Sequence, residues 1–546
     1  MVGRLRDWAG RHPHGTLILL TLAALVPFLG KPFNMDDPLF LWSAKQIAAH
    51  PFDPYGFNVD WGWTQFPMCK VTENPPLTCY YLALAGTLFG WGETVLHAAF
   101  LVPAIAVVLG TYRLAKHLCS NPLLAAGLVL CAPVFLVSAT SVMCDVMALA
   151  GWVWAASFWL EGATENSRSK LLAAGVIIAL ATLTKYFAVS LLPLLVAYCL
   201  ARRQPLTAWG PPVIVVFSAL VGYQWWSEAM YHQNLLYGAA NYVMFSQKLF
   251  GFTRLQNGLM ALGFLGGCAA LVVFSAPAWM KRREMIYAAA VLAVLMVIAS
   301  GDSSLWKKYV ALQETALDPA KMQLGFWAAS GVLVLWLALG DLLRRRDAES
   351  LMLALWVTGV FWFTAFCNWT VNGRSVLPLI PAVTILMVRR LQTMNAPAKR
   401  LLFGCVAASA AFTWFIARSD FQKAVAVREL VRQVEQQFQP SKQTVWFQGH
   451  WGFQYYLQLA GARPVDFKSP ALKPGDWMVV PTDNTNLRLL DPNRAELIGT
   501  CRIQGPTRFT TLNESLGAGY YASVFGPLPF VFGTIPPEAV AVYRLK

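Results

Sequence analysis

Charge is scarce in this 546-residue chain: 13% of its residues are Asp, Glu, Lys or Arg, where soluble domains carry about 25%, and 57% are hydrophobic. Together with a mean hydropathy of +0.48, this excludes a water-soluble globule, because the apolar runs recur too often and extend too far. The signatures of soluble enzymes are also missing. The absence of a GxxxxGK[ST] phosphate loop, a GxGxxG turn, HExxH and CxxC disfavours an ATP-driven pump or a zinc protease. No internal repeat is evident, which weakens a transporter built from inverted repeats. Acidic residues are few, 28 against 43 Lys and Arg, yet the positive excess does not imply a nucleic-acid partner. It falls in short clusters between apolar runs, as cytoplasmic loops do. The ten cysteines have no metal-ligand spacing, and only Cys69 and Cys79 lie close enough in one loop for a disulfide to be considered.

What is present is a series of apolar runs at about 14–30, 94–113, 122–142, 146–160, 170–184, 186–200, 210–227, 257–278, 285–300, 322–340, 351–367, 375–390 and 401–417. By length they predict about thirteen transmembrane helices. Arg4, Arg6 and Arg11 precede the first run without a small-residue cleavage site after it, so an uncleaved anchor with a cytoplasmic N-terminus is expected. The clusters Arg113/Lys116, Arg168/Lys170, Arg202/Arg203, Lys281/Arg282/Arg283, Arg344/Arg345/Arg346 and Arg389/Arg390/Lys399/Arg400 then share that side, provided Leu77–Gly90 is an interfacial helix on the other. The predicted architecture is an α-helical polytopic core over 1–417, with 31–93 as a first external loop. A small α/β domain over 418–546 follows outside, in the inner membrane of a bacterium. Its composition changes to charged helical sequence, then short alternating runs such as Thr444–Phe447 and Trp477–Val480.

On this map carboxylates gather on the external side, against lipid, where charge is costly unless functional. Asp36 and Asp37 follow the first run, Glu73 lies in Glu73-Asn74-Pro75-Pro76, and Asp145 opens a span. Asp37 before Pro38, and Asp145 before its span, both also read as helix caps. Asp36 has no such structural duty and suits a general base. Lys185, at a turn between spans, and Arg374, in Asn372-Gly373-Arg374, are external cations able to hold a phosphate, or else to reach lipid head groups. Asp36, Glu73 and Asp145 are hard oxygen ligands compatible with a divalent metal, although no cofactor is required by the sequence. The loop Trp61-Gly62-Trp63-Thr64-Gln65-Phe66 has the aromatic content to stack on a sugar ring or to lie in an interfacial belt.

The order of these features resembles the GT-C-fold integral-membrane glycosyltransferases, in the branch of the aminoarabinose transferases and protein O-mannosyltransferases. The matching residues are Asp36-Asp37-Pro38, Glu73-Asn74-Pro75-Pro76-Leu77 followed by Leu88-Phe89-Gly90, Asp145, Leu183-Thr184-Lys185, and Arg374 with Leu377-Pro378-Leu379-Ile380-Pro381. The resemblance spans roughly 14–390 and rests on order and sidedness. It implies transfer of a sugar from a polyprenyl-phosphate donor to a lipid, protein or polymer acceptor outside the cytoplasm. Asp36 would be the base, Asp37 its catalytic neighbour, Glu73 and Asp145 acceptor or metal groups, and Lys185 and Arg374 the phosphate holders. Two departures stand out: the family's Asp-Glu is Asp36-Asp37 here, and the lysine of the aminoarabinose transferases' Glu-Lys-Pro-Pro is Asn74. The competing expectation is a lipid or solute transporter whose external carboxylates bind substrate or cation.

Overall fold

A computed structural model describes residues 10–72, 74–309, 311–393, 399–437 and 443–546. Every one of the thirteen apolar runs falls on helix. Among the described residues, eight helices are long and apolar enough to cross a membrane: Glu93–Leu118, Asp145–Glu165, Leu206–Tyr231, Arg282–Gly301, Glu314–Arg345, Ala348–Cys367, Gly373–Gln392 and Leu401–Gln437. Two broken pairs, Pro122–Val129 with Pro133–Ala139 (61°) and Arg254–Cys268 with Leu271–Trp279 (72°), raise the number to ten. The remaining runs form shorter helices, because the 170–200 stretch is interrupted at Lys185 and splits into Arg168–Thr184 and Tyr186–Ala201. The helix Leu77–Phe89 is thirteen residues long and exposes Leu84, Leu88 and Phe89, as suits an element too short to span.

Members of the predicted basic clusters pair with carboxylates at helix ends. Arg113 and Lys170 share Glu161 at 2.7 and 2.9 Å, Arg202 pairs with Glu349, and Arg390 with Glu284. Arg389 joins Asp341 to the carbonyl of Leu118. These contacts explain the shared sidedness of the clusters: each cation neutralises a carboxylate at a helix end where an unpaired charge would face lipid head groups or a low dielectric.

Helix Lys399–Gln437 runs through position 418 without a break and carries the C-terminal region. Its Leu430, Val431 and Val434 pack on Phe447, Val479, Val540 and Val542 of a five-stranded sheet. The strands are ordered Arg463–Pro464, Val445–Phe447, Trp477–Pro481, Glu538–Leu545, Ala495–Ile503, the first three parallel and Glu538–Leu545 antiparallel to both of its neighbours. The small α/β unit expected from composition is present, but part of the tail leaves it. Leu512, Ala518, Tyr520, Tyr521, Leu528 and Phe530 bury into the helical core instead. The sheet is tied to the first loop by His450, whose Nε2 accepts the Gly62 N–H at 3.0 Å and whose ring stacks on Trp61. Burial holds this imidazole below its usual pKa, hence neutral and structural. Cys69 and Cys79 are both free, buried thiols.

Candidate functional site

A cavity of about 940 Å³ opens at the end of the bundle opposite the basic clusters. Asp36, Asp145, Lys185 and Arg374, drawn from four distant stretches of sequence, all line it. Arg374 Nη1 donates to Asp36 Oδ2 at 3.0 Å, and Lys185 Nζ to Asp145 Oδ1 at 2.5 Å. Two oppositely charged pairs thus replace a cluster of like charges, which offsets the cost of gathering four charged side chains in a partly buried site. Asp145 Oδ2 is buried with no hydrogen-bond partner. Such an oxygen is costly unless a ligand or water donates to it.

Local backbone explains how each group arrives. Met35 adopts φ +48°, a left-handed conformation that costs about 1–2 kcal/mol in a residue with a Cβ. The turn sends its two following carboxylates different ways. Asp36 reaches the cavity, while Asp37 is buried and accepts the N–H groups of Asn34 (2.9 Å) and Val142 (3.0 Å). Asp37 therefore staples the first loop to the segment that delivers Asp145, rather than capping its own helix. Lys185 occupies the extended break between two helices (φ −152°, ψ 121°), which frees its side chain to cross to Asp145. Arg374 lies in the first turn after Asn372, whose side chain caps Ser375 N at 2.8 Å.

Desolvation raises the Asp37 carboxyl to about 7, against opposing effects of Lys31 and the two N–H donors. Between its ordinary value of 3.8 and about 7 the folded protein binds a proton that the unfolded chain releases. Stability contributed at this site therefore falls as pH rises through that window and is level above it. Asp37→Asn is expected to flatten the pH dependence of thermal inactivation between pH 4 and 7, measured on detergent-solubilised protein; an unchanged slope would refute the assignment.

Glu73 lies outside the described residues; its neighbour Asn74 lines the cavity and accepts the Tyr55 hydroxyl on its carbonyl at 2.8 Å. Among the described residues no three of His, Cys, Asp and Glu converge, and Asp36 and Asp145 are each occupied by a cation. Trp61 lines the cavity, while Trp63 lies under Arg488 and meets Phe467 edge to face. Two lining residues had no sequence signal beyond an ordinary tail, Glu514 and Tyr521. Burial, with Asp483 nearby, raises the Glu514 carboxyl above its usual range. One wall is apolar: Leu236, Ala239, Val243 and Phe250, from the helix Leu235–Phe250, whose other face exposes Tyr237, Met244 and Phe245.

Fold and cavity together define a multi-pass helical membrane protein with a paired-charge site beside an apolar wall at one end of its bundle. Residues 73–227 match the family described as dolichyl-phosphate-mannose-protein mannosyltransferase. This stretch carries Asn74, Asp145 and Lys185, and is less than a third of the chain. No curated protein matches. Solved structures similar to the chain include the following three. One is the oligosaccharyltransferase AglB of Archaeoglobus fulgidus in complex with an inhibitory peptide and a dolichol-phosphate (14% identity, TM-score 0.46, 84% of this chain and 64% of that one). Another is ArnT of Cupriavidus metallidurans bound to undecaprenyl phosphate (14%, 0.40, 87% of this chain and 93% of that one). The third is the mycobacterial arabinofuranosyltransferase AftD (14%, 0.41, 99% and 40%). The chain spans 64% of the length of the archaeal oligosaccharyltransferases.

Proposed function

We propose that the protein transfers a sugar from a polyprenyl-phosphate donor to an acceptor on the non-cytoplasmic side, with the cavity and residues 418–546 facing that side. The observation that carries this reading is the convergence of Asp36, Asp145, Lys185 and Arg374 in one cavity beside the apolar wall of Leu235–Phe250. Lys185 and Arg374 supply the charge for a phosphate, and the apolar wall suits the first prenyl units of its lipid. A phosphate entering between the cations draws Arg374 away from Asp36 and frees that carboxylate.

The reaction is then a displacement at the anomeric carbon. Asp36 takes the proton of the acceptor hydroxyl or amine as its oxygen or nitrogen bonds to the sugar carbon. The bond from that carbon to the phosphate oxygen breaks on the opposite face, and the polyprenyl phosphate departs with the electron pair, its added charge held by Lys185 and Arg374. Attack from the opposite face inverts the anomeric centre. Asn74 stands where the aminoarabinose transferases have a lysine, which removes one cation near the donor phosphate or the acceptor, so neither their donor nor their acceptor is carried over to this protein.

The test is purified protein in proteoliposomes supplied with a panel of polyprenyl-phosphate sugars and candidate lipid, peptide and glycan acceptors. Release of free polyprenyl phosphate with a new glycosidic bond is expected. Substrate flux across the bilayer without product would replace the reading by a transporter.

A further inference from the structure

The C-terminal segment Tyr520–Ser523 is hydrogen-bonded to the loop that delivers Arg374. Gly373 N donates to Tyr520 O (2.8 Å), Ser523 N to Val371 O (2.8 Å), and Val371 N to Ser523 Oγ (3.2 Å). The two stretches are about 150 residues apart in sequence, yet they pair almost as adjacent strands do. Contact is tight enough that a Cβ on Gly373 would lie 2.4 Å from the Tyr520 ring. Tyr521 turns from this pairing into the cavity, where its ring faces the Arg374 guanidinium at 5.9 Å from the centroid. Its hydroxyl donates to Asp420 at 3.0 Å. Asp420 is in turn fixed by the buried Lys31 (2.5 Å) and by Thr511 Oγ1 (2.5 Å).

We propose that Tyr521 is a positioning residue for Arg374, and that the tail segment Tyr520–Ser523, folded back into the helical core, completes the cavity. An arginine side chain has several rotatable bonds, and the contacts of Arg374 with Asp36 Oδ2 and Met143 Sδ, both at 3.0 Å, are made by the single nitrogen Nη1 and leave the guanidinium plane free to tilt about it. A ring against one guanidinium face fixes that plane by a cation–π contact strengthened by desolvation. The Asp420 network holds the ring at its far edge. Lys31 closes the circuit, since it enters from the loop that also carries Asp36. The positioning itself is a matter of geometry; its consequence for phosphate binding rests on the functional reading above.

Two variants in lipid nanodiscs test it, Tyr521→Leu, which removes the ring, and Tyr521→Phe, which keeps it. Undecaprenyl phosphate is the binding probe, and cryo-EM of each variant reports the Arg374 side chain. Expected is about tenfold weaker binding for Tyr521→Leu with Arg374 displaced from Asp36, and binding within threefold of the parent for Tyr521→Phe. The inference is overturned if Arg374 keeps its place in Tyr521→Leu, or if the Phe variant loses as much as the Leu variant. Should the parent protein itself bind no undecaprenyl phosphate, the functional reading falls, and the Arg374 position in the two maps still decides the inference. If Tyr521→Leu does not fold, Ser523→Ala loosens the loop with the ring in place, and an Arg374 density as sharp as the parent's overturns the tail's role.

Discussion

Asparagine at position 36 is expected to reduce sugar transfer by about 10²- to 10⁴-fold, the range that a positioned general base contributes, while polyprenyl phosphate still binds within a few fold. The substitution keeps shape and a hydrogen-bond acceptor for Arg374, so the 3.0 Å contact has a neutral counterpart. What is lost is the site for the acceptor proton. Single-turnover rates with a lipid-linked sugar and a separate binding measurement distinguish the two effects. Transfer within tenfold of the parent would remove Asp36 from the base role.

Lys185 offers a sharper separation of structure from function. Lys185→Met leaves Asp145, which is 2% exposed at its side chain, without its cation. Stranding a buried carboxylate in this way costs about 3 kcal/mol, seen as faster thermal inactivation. Combining Lys185→Met with Asp145→Asn removes both charges, and the double variant is expected to regain most of that stability. Donor affinity, however, should stay down by about 10- to 100-fold in both, because a phosphate needs the cation and not the pair. Recovery of donor binding in the double variant would show that Lys185 serves Asp145 alone. A smaller effect is expected at Gly373, where alanine must push the Tyr520 ring or the Arg374 loop aside; transfer should fall about tenfold, read as kcat with the donor saturating.

Much of the helical layout was legible because hydrophobic length is a local property: each apolar run carries its own requirement to form a helix in lipid. Four cavity residues were legible for a related reason. Asp36, Asp145, Lys185 and Arg374 are charges at places where sidedness or hydropathy disfavours them, and that excess cost is visible one residue at a time. Asp37 before Pro38 carried a capping signal that Asp36 lacks, yet nothing in the sequence announces that Met35 would turn left-handed and send Asp37 to the backbone of Val142. Tyr521 was hidden for a different reason. Its segment, Gly517-Ala518-Gly519-Tyr520-Tyr521, has the Gly punctuation of any loop in a small domain, and its partners Asp420 and Arg374 lie 101 and 147 residues away. Hydropathy and spacing report neighbours along the chain, whereas this network exists only once the tail has folded back.

The unbroken helix Lys399–Gln437 carries Asp420 and Lys423 three residues apart, one bonded toward the first loop and the other to Asp483 and Glu538 near the sheet. At 1.5 Å per residue it is about 58 Å long, nearly twice a bilayer's hydrocarbon core. Such a rod fixes angular phase as well as height. One residue inserted ahead of Asp420 would rotate everything beyond it by about 100°, swinging Asp420 away from Lys31 and Tyr521. Seven would nearly restore the phase while lifting the sheet by about 10 Å. The distance between membrane and C-terminal sheet can therefore drift in evolution only in whole-turn steps, each of which would have to be matched by a change in the first loop.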